Sequence, residues 1–177
     1  MAGSPAFDPP VVLASLSGEA DAEWARQGAE YAGAAFLGGI ALDEQTREAA
    51  RALVERDRTE FLPADPVSFV DEQLTALADA PLTAGFNVRT TTLEPLARAA
   101  AVCADHDAVI EINAHCRQGE MCAAGAGESL LRDSNRLCEQ VRAATEMGAT
   151  VSVKLRTEIE GVSLPALAPK LEAAGAD

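Results

Sequence analysis

The octapeptide Ile110-Glu111-Ile112-Asn113-Ala114-His115-Cys116-Arg117 brings a carboxylate, an amide and a thiol to the end of an apolar run. Glu111 and Asn113 alternate with Ile110 and Ile112, so on a strand both polar side chains project from one face. Cys116 follows within three residues, between His115 and Arg117. A cation on each side would ease thiolate formation, or hold the thiol ready as a proton donor. A spectator cysteine is the alternative, as expected of Cys103, Cys122 and Cys138. His115 is a poor base for Cys116, because neighbours in sequence tend to point in different directions. Val151-Ser152-Val153-Lys154-Leu155-Arg156 repeats the alternation, now with two cations. Glu111 and Lys154 are therefore expected to pair in an interior where a lone carboxylate is costly. Filling a core is the alternative role for such a pair, but two polar positions on each of two adjacent strands are more than a core requires.

Two glycine clusters accompany these runs. Gly125-Ala126-Gly127 completes neither a GxGxxG nor a P-loop, and a tight turn before a helix is the expected role. Gly38-Gly39 falls inside a strand-like run, where a bulge or a close approach to a ligand is expected.

The elements that must position these groups alternate regularly. Strands are predicted at Val11–Ser15, Ala34–Leu42, Gly85–Val88, Ala108–Asn113 and Thr150–Leu155. The first reads as a strand buried on both faces. Helices are predicted after caps at Asp21, Asp43, at Asp65-Pro66 and at Ser163, and also through Leu96 and Ala100 and from about Leu130 to Glu146. Pro169 should loosen the last of them. Five βα units demand parallel strands with right-handed crossovers. The expected fold is α/β, either an open sheet or a (β/α) TIM-barrel type with only the first five of eight units. Residues 1–9 read as a flexible lead-in and 10–177 as the domain. Polar side chains gathered where parallel strands end are where such folds keep their chemistry.

Composition narrows the function classes. A formal charge of −14 argues against passive attraction to nucleic acid or anionic membrane. It suits a high-salt cytoplasm, where electrostatic reach falls to about 3 Å at 1 M. Residues 1–88 hold five Arg against fifteen acids, a net of −10, whereas 89–177 hold nine cations against thirteen acids, a net of −4. Arg89, Arg117, Lys154 and Arg156 fall at predicted strand ends, which suggests an anion-handling mouth. The four cysteines form no CxxC pair, and reduced thiols are expected. No secretory leader is apparent, and no apolar run reaches about 18 residues.

On these residues the chain resembles the dihydrouridine synthase family of FMN-dependent barrels. The family's L-A-P-M-A-G-V-T-D strand is matched at Leu13, Ala14, Gly18 and Asp21, with Ser15 and Leu16 in place of Pro and Met. Its D-x-N-x-G-C-P segment corresponds to Glu111 through Arg117, with His115 and Arg117 flanking the thiol in place of Gly and Pro. Its G-A-G-x-x-L-L-x-D segment is present in full from Gly125 to Asp133, and its V-K-x-R as Val153 to Arg156. Asn87 stands where the family has a flavin-contacting Gln. The likeness looks closest to an archaeal branch of barrels related to these synthases.

The resemblance implies reduction of the C5–C6 double bond of a uracil ring by flavin hydride. FMN would be the cofactor and NAD(P)H the reductant, and uridine in tRNA the substrate. Cys116 would be the catalytic acid, Asn113 would bond the base, and Arg156 would help hold the substrate. Lys154 would lie against the flavin's pyrimidine edge, and Ala14, Ser15, Leu16 and Asn87 would complete the cofactor site. Two alternatives stand beside this reading: a flavin barrel acting on a free pyrimidine or a dihydroorotate-like molecule, and a non-catalytic barrel fragment. An incomplete barrel would leave open sheet edges, which makes oligomerisation a possibility.

Overall fold

The computed structural model describes residues 7–157 and 159–177. Five strands form one wholly parallel sheet in the order β1 (Val12–Leu13), β2 (Ala34–Ala41), β3 (Thr83–Arg89), β4 (Val109–Ala114) and β5 (Thr150–Leu155). A doubly wound sheet reverses its strand order at a switch point. Here the spatial order follows the chain order without reversal. The strands form a curled half-barrel, and the Lys154 ammonium on β5 reaches the Ser15 hydroxyl just past β1, 3.0 Å away, although the two residues lie on opposite edge strands.

The first strand departs from expectation. Only Val12 and Leu13 pair, and Val11 and Val12 are 47% and 42% exposed. With β2 alone as a neighbour, an apolar run does not become a strand buried on both faces. By contrast β2 and β4 are buried along their whole lengths, as strands covered by helices on one face and by interior side chains on the other must be.

Among the described residues seven helices fill the crossovers and an eighth follows β5: α1 (Ala22–Gly28), α2 (Glu44–Val54), α3 (Pro66–Thr75), α4 (Leu93–Asp105), α5 (Gly119–Ala123), α6 (Glu128–Arg132), α7 (Ser134–Thr145) and α8 (Leu164–Ala174). Asp21 and Asp43 cap α1 and α2 through the amides of Trp24 at 2.8 Å and Thr46 at 3.0 Å. Asp65 accepts from Val67 and Ser68 and places Pro66 in the first turn of α3. Ser163 precedes α8 but makes no side-chain cap bond, and Pro169 sits within that helix. The helix expected from Leu130 to Glu146 is two helices, because Asp133 leaves helical geometry and caps α7 through Arg136. The short α5 has too little apolar periodicity to be anticipated.

Leu37, Ile40, Phe86, Val88, Ile110, Ile112 and Val151 face Val70, Leu74, Leu96, Leu137, Val141, Leu167 and Leu171 in the main core. Residues 7–9 of the expected lead-in are described, and the Pro9 carbonyl accepts from Gly33 at 3.1 Å. Residues 1–6 lie outside the described set. All four cysteines are unpaired, and burial pushes the Cys103 thiol up to about 12.

Candidate active site

Register decides which polar residues meet inside the half-barrel. Asn87 lies opposite Glu111, Glu111 opposite Ser152, and Asn113 opposite Lys154. One layer lower, Phe36, Gly85, Val109 and Thr150 line up, and the Phe36 ring occupies the space that a Cβ on Gly85 would need. Phe7, Phe36, Val109, Thr150 and Ser152 border a cavity of about 150 Å³ at this level. The polar groups therefore occupy the upper half of the interior, toward the C-terminal strand ends where such folds carry out chemistry.

The expected Glu111–Lys154 ion pair is not made. Glu111 Oε1 accepts from Asn87 Nδ2 at 2.6 Å, and Lys154 Nζ donates to Ser15 Oγ at 3.0 Å. The reason is geometric: Asn87 stands directly across from Glu111, whereas Lys154 is two positions along the neighbouring strand. Burial pushes the Glu111 carboxyl above its ordinary range, against the Asn87 bond and the positive charge of Lys154.

Asn113 links the strand to the loop that follows. Its Nδ2 donates to Asn87 Oδ1 at 2.9 Å, and its Oδ1 accepts from the amides of His115 at 3.1 Å and Cys116 at 2.9 Å. Cys116 is half-buried and packs against Ala41, Ala49, Ala50, Leu53 and Met121 at the top of β2, α2 and α5. Its carbonyl accepts from the Glu128 amide at 2.8 Å. A Cβ on Gly127 would lie 2.4 Å from that carbonyl, and Gly127 has φ +61°, so the second glycine of the Gly125-Ala126-Gly127 turn is there to admit the cysteine loop. Leu130 and Leu131 of the helix that follows are buried in the main core.

Two expectations about charge need correction. His115 is not a cation beside the thiol at neutral pH, because burial, and then Lys154 and Arg156, hold its pKa below the ordinary 6.5. Arg89 is not part of an anion-handling mouth. It is buried, donates to the Gly39 carbonyl at 2.7 Å, and forms a buried ion pair with Glu60. Glu60 belongs to the loop between α2 and α3, which also bridges Phe61 to Ile40. Sequence reading missed Glu60, since a loop carboxylate without periodicity gives no signal. Arg117 is exposed and approaches Glu128 at 3.9 Å. Lys154 and Arg156 remain as the cations at the β5 end.

Gly38-Gly39 is a bulge, where the β2–β3 register shifts between Gly38 and Ile40. A Cβ on Gly39 would stand 2.5 Å from Asn87 Oδ1 and 3.4 Å from Arg89 Nε, so the glycine admits interior side chains of β3. Of the residues expected at a cofactor, Ala14 is exposed, Leu16 is 48% exposed, Ser15 is half-buried and Asn87 is fully buried. Asn113 and Lys154 are brought side by side, with Ser15 against the lysine and Asn87 beneath the asparagine.

The dihydrouridine synthase (Dus) family model matches residues 70–177. The chain belongs to the dihydrouridine synthase family. The matched stretch carries Asn87, Asn113, Cys116, Lys154 and Arg156, while Ala14, Ser15 and Leu16 precede it. An uncharacterized protein of Methanocaldococcus jannaschii is 29% identical over 152 residues, covering 85% of this chain and 59% of that protein. A probable tRNA-dihydrouridine synthase of Rhodobacter capsulatus is 29% identical over 177 residues, covering 96% of this chain and 48% of its own length. The chain thus spans about half the length of these curated relatives. Among solved structures, a 2,3-dimethylmalate lyase of the PEP mutase/isocitrate lyase superfamily superposes with TM-score 0.56 at 12% identity, over 94% of this chain and 55% of that one. That likeness speaks to the fold alone. No described helix is long and apolar enough to cross a membrane.

Proposed function

We propose that this member of the dihydrouridine synthase family is an FMN-dependent reductase of the uracil ring, acting on uridine in tRNA. The observation that carries the reading is the in-register placement of Asn113 beside Lys154, with the Cys116 backbone bonded to the same Asn113. The residues at this mouth fit a flavin. Exposed Ala14 and Leu16 offer an apolar shelf, and Lys154 is a half-buried cation whose bonded partner among the described residues is a hydroxyl.

When bound, FMN would supply the hydride that reduces the C5–C6 double bond, and NAD(P)H would restore it. Cys116 would give its thiol proton to the ring carbon that does not take the hydride, and would recover a proton from solvent. Asn113 has one amide hydrogen left after its bond to Asn87, and that donor would meet a carbonyl of the base. Lys154 would hold negative charge at the cofactor edge, a fixed cation aimed where charge develops. Arg156 would hold substrate at the rim, and Asn87 would form the floor of the cofactor site.

The test is to measure bound FMN by absorbance and turnover on tRNA, free uracil and orotate side by side. Cys116→Ala should lower uridine reduction by about 10²-fold or more while leaving flavin bound. Unchanged turnover in that variant would remove Cys116 from its role. A net charge of −14 favours the second reading, a small pyrimidine substrate. Activity on free uracil or orotate without activity on tRNA would establish it.

A further inference from the structure

Two backbone amides and three side chains inside the half-barrel form one directed chain of hydrogen bonds. The amides of His115 and Cys116 donate to Asn113 Oδ1, Asn113 Nδ2 donates to Asn87 Oδ1, and Asn87 Nδ2 donates to Glu111 Oε1. The backbone end of this chain fixes its direction, because an N–H can only donate and Asn113 Oδ1 must therefore accept. Each following link takes its sense from that end, so flipping Asn113 would break three bonds and flipping Asn87 two. Asn87 is fully buried, and Glu111 and Asn113 are each 9% exposed, so a broken link is not readily replaced by water. The middle of the chain is closely packed as well, since a Cβ on Gly39 would stand 2.5 Å from Asn87 Oδ1.

We propose that Glu111 is a positioning residue. Its carboxyl oxygen accepts the last bond of the Asn87–Asn113 chain and, through that chain, holds the His115–Cys116 turn in place. The energetic logic is that an acceptor is required at this end. A buried carboxylate is costly there, and a core-filling side chain would avoid that cost. Glu111 has no ion pair within bonding distance among the described residues, and the bond it makes is the last link of the chain. For catalysis the inference rests on the reading of Cys116 as proton donor. The placement of the turn does not.

Amide hydrogen exchange, read residue by residue on the protein without added ligand, tests the placement. Glu111→Leu removes the terminal acceptor and should speed exchange at His115 and Cys116 by about five- to tenfold, with Ile110 and Ile112 unchanged. Glu111→Gln retains an acceptor and should restore protection to within about twofold of the parent. Asn87→Leu cuts the chain one link further on and should reproduce the Glu111→Leu pattern, which serves if the first variant does not fold. In the unsubstituted protein the side-chain NH2 protons of the fully buried Asn87 should exchange slowly. Fast exchange there, or unaltered exchange at Cys116 in folded Glu111→Leu, would overturn the proposal. If the exchange pattern holds but no uracil ring is reduced, the functional reading falls and the positioning role stands.

Discussion

At the scale of single residues, Lys154 carries more consequences than any other side chain in the half-barrel. Its ammonium bonds Ser15 across the sheet edges, lies in register with Asn113, and helps hold the His115 pKa down. Lys154→Met should therefore raise the His115 pKa, since one of the two cations disfavouring imidazolium is gone; an NMR titration of the ring protons reads this without any cofactor. The same variant should lower uracil reduction by about 10²-fold if the cation stabilises charge that develops during turnover. The sequence showed which residues share a face, because alternation along a strand requires it. It did not show their partners. Glu111 chose Asn87 over Lys154 through a stagger between strands that no single strand encodes.

At the scale of elements, Asp43 joins two βα units. Its carboxylate caps α2 through Thr46 and also accepts from the Thr90 hydroxyl at 2.7 Å and from the Thr91 amide. Burial alone would push this carboxyl up, but the hydrogen bonds from Thr90, Thr46 and Thr91 together outweigh it and leave the pKa below its ordinary 3.8. A depressed folded pKa means the stabilisation is present above the ordinary value and is lost as pH falls through the folded one. Asp43→Ala should cost about 2–4 kcal/mol near neutrality, from the cap and the buried donors left unpaired, and the gap from the parent should narrow in acid. Urea melts at pH 7 and pH 3 would show it. The cap was legible because Asp43 precedes an apolar period. The Thr90 and Thr91 bonds were not, since they cross to a different crossover. The split between α6 and α7 was hidden for a related reason: Leu130, Leu131 and Leu137 read as one apolar stripe across Asp133.

At the scale of the whole molecule, the loop after α2 is tied to the end of β3 through the buried Arg89–Glu60 pair, whose side chains are 1% and 4% exposed. Glu60→Ala would leave a guanidinium buried without its counter-ion and should destabilise the protein by about 3–5 kcal/mol, measured by denaturant unfolding. The charge of −14 should make stability salt-dependent: raising NaCl from 0.1 to 1 M shortens the screening length from about 10 to about 3 Å and should raise Tm in thermal melts. A flat or falling Tm would argue against the high-salt habitat expected from composition. By itself the sequence determined the order of strands and helices, their parallel sense and the polar face of β4 and β5, because periodicity and caps are local and hydrophobic burial enforces them. Only the tertiary structure decided that Lys154 answers Ser15, that Arg89 is spent on Glu60, and that the first strand is short and exposed. Those outcomes depend on inter-strand stagger, on sheet curvature and on a loop that reaches back to β3, all of which arise between elements far apart in the chain.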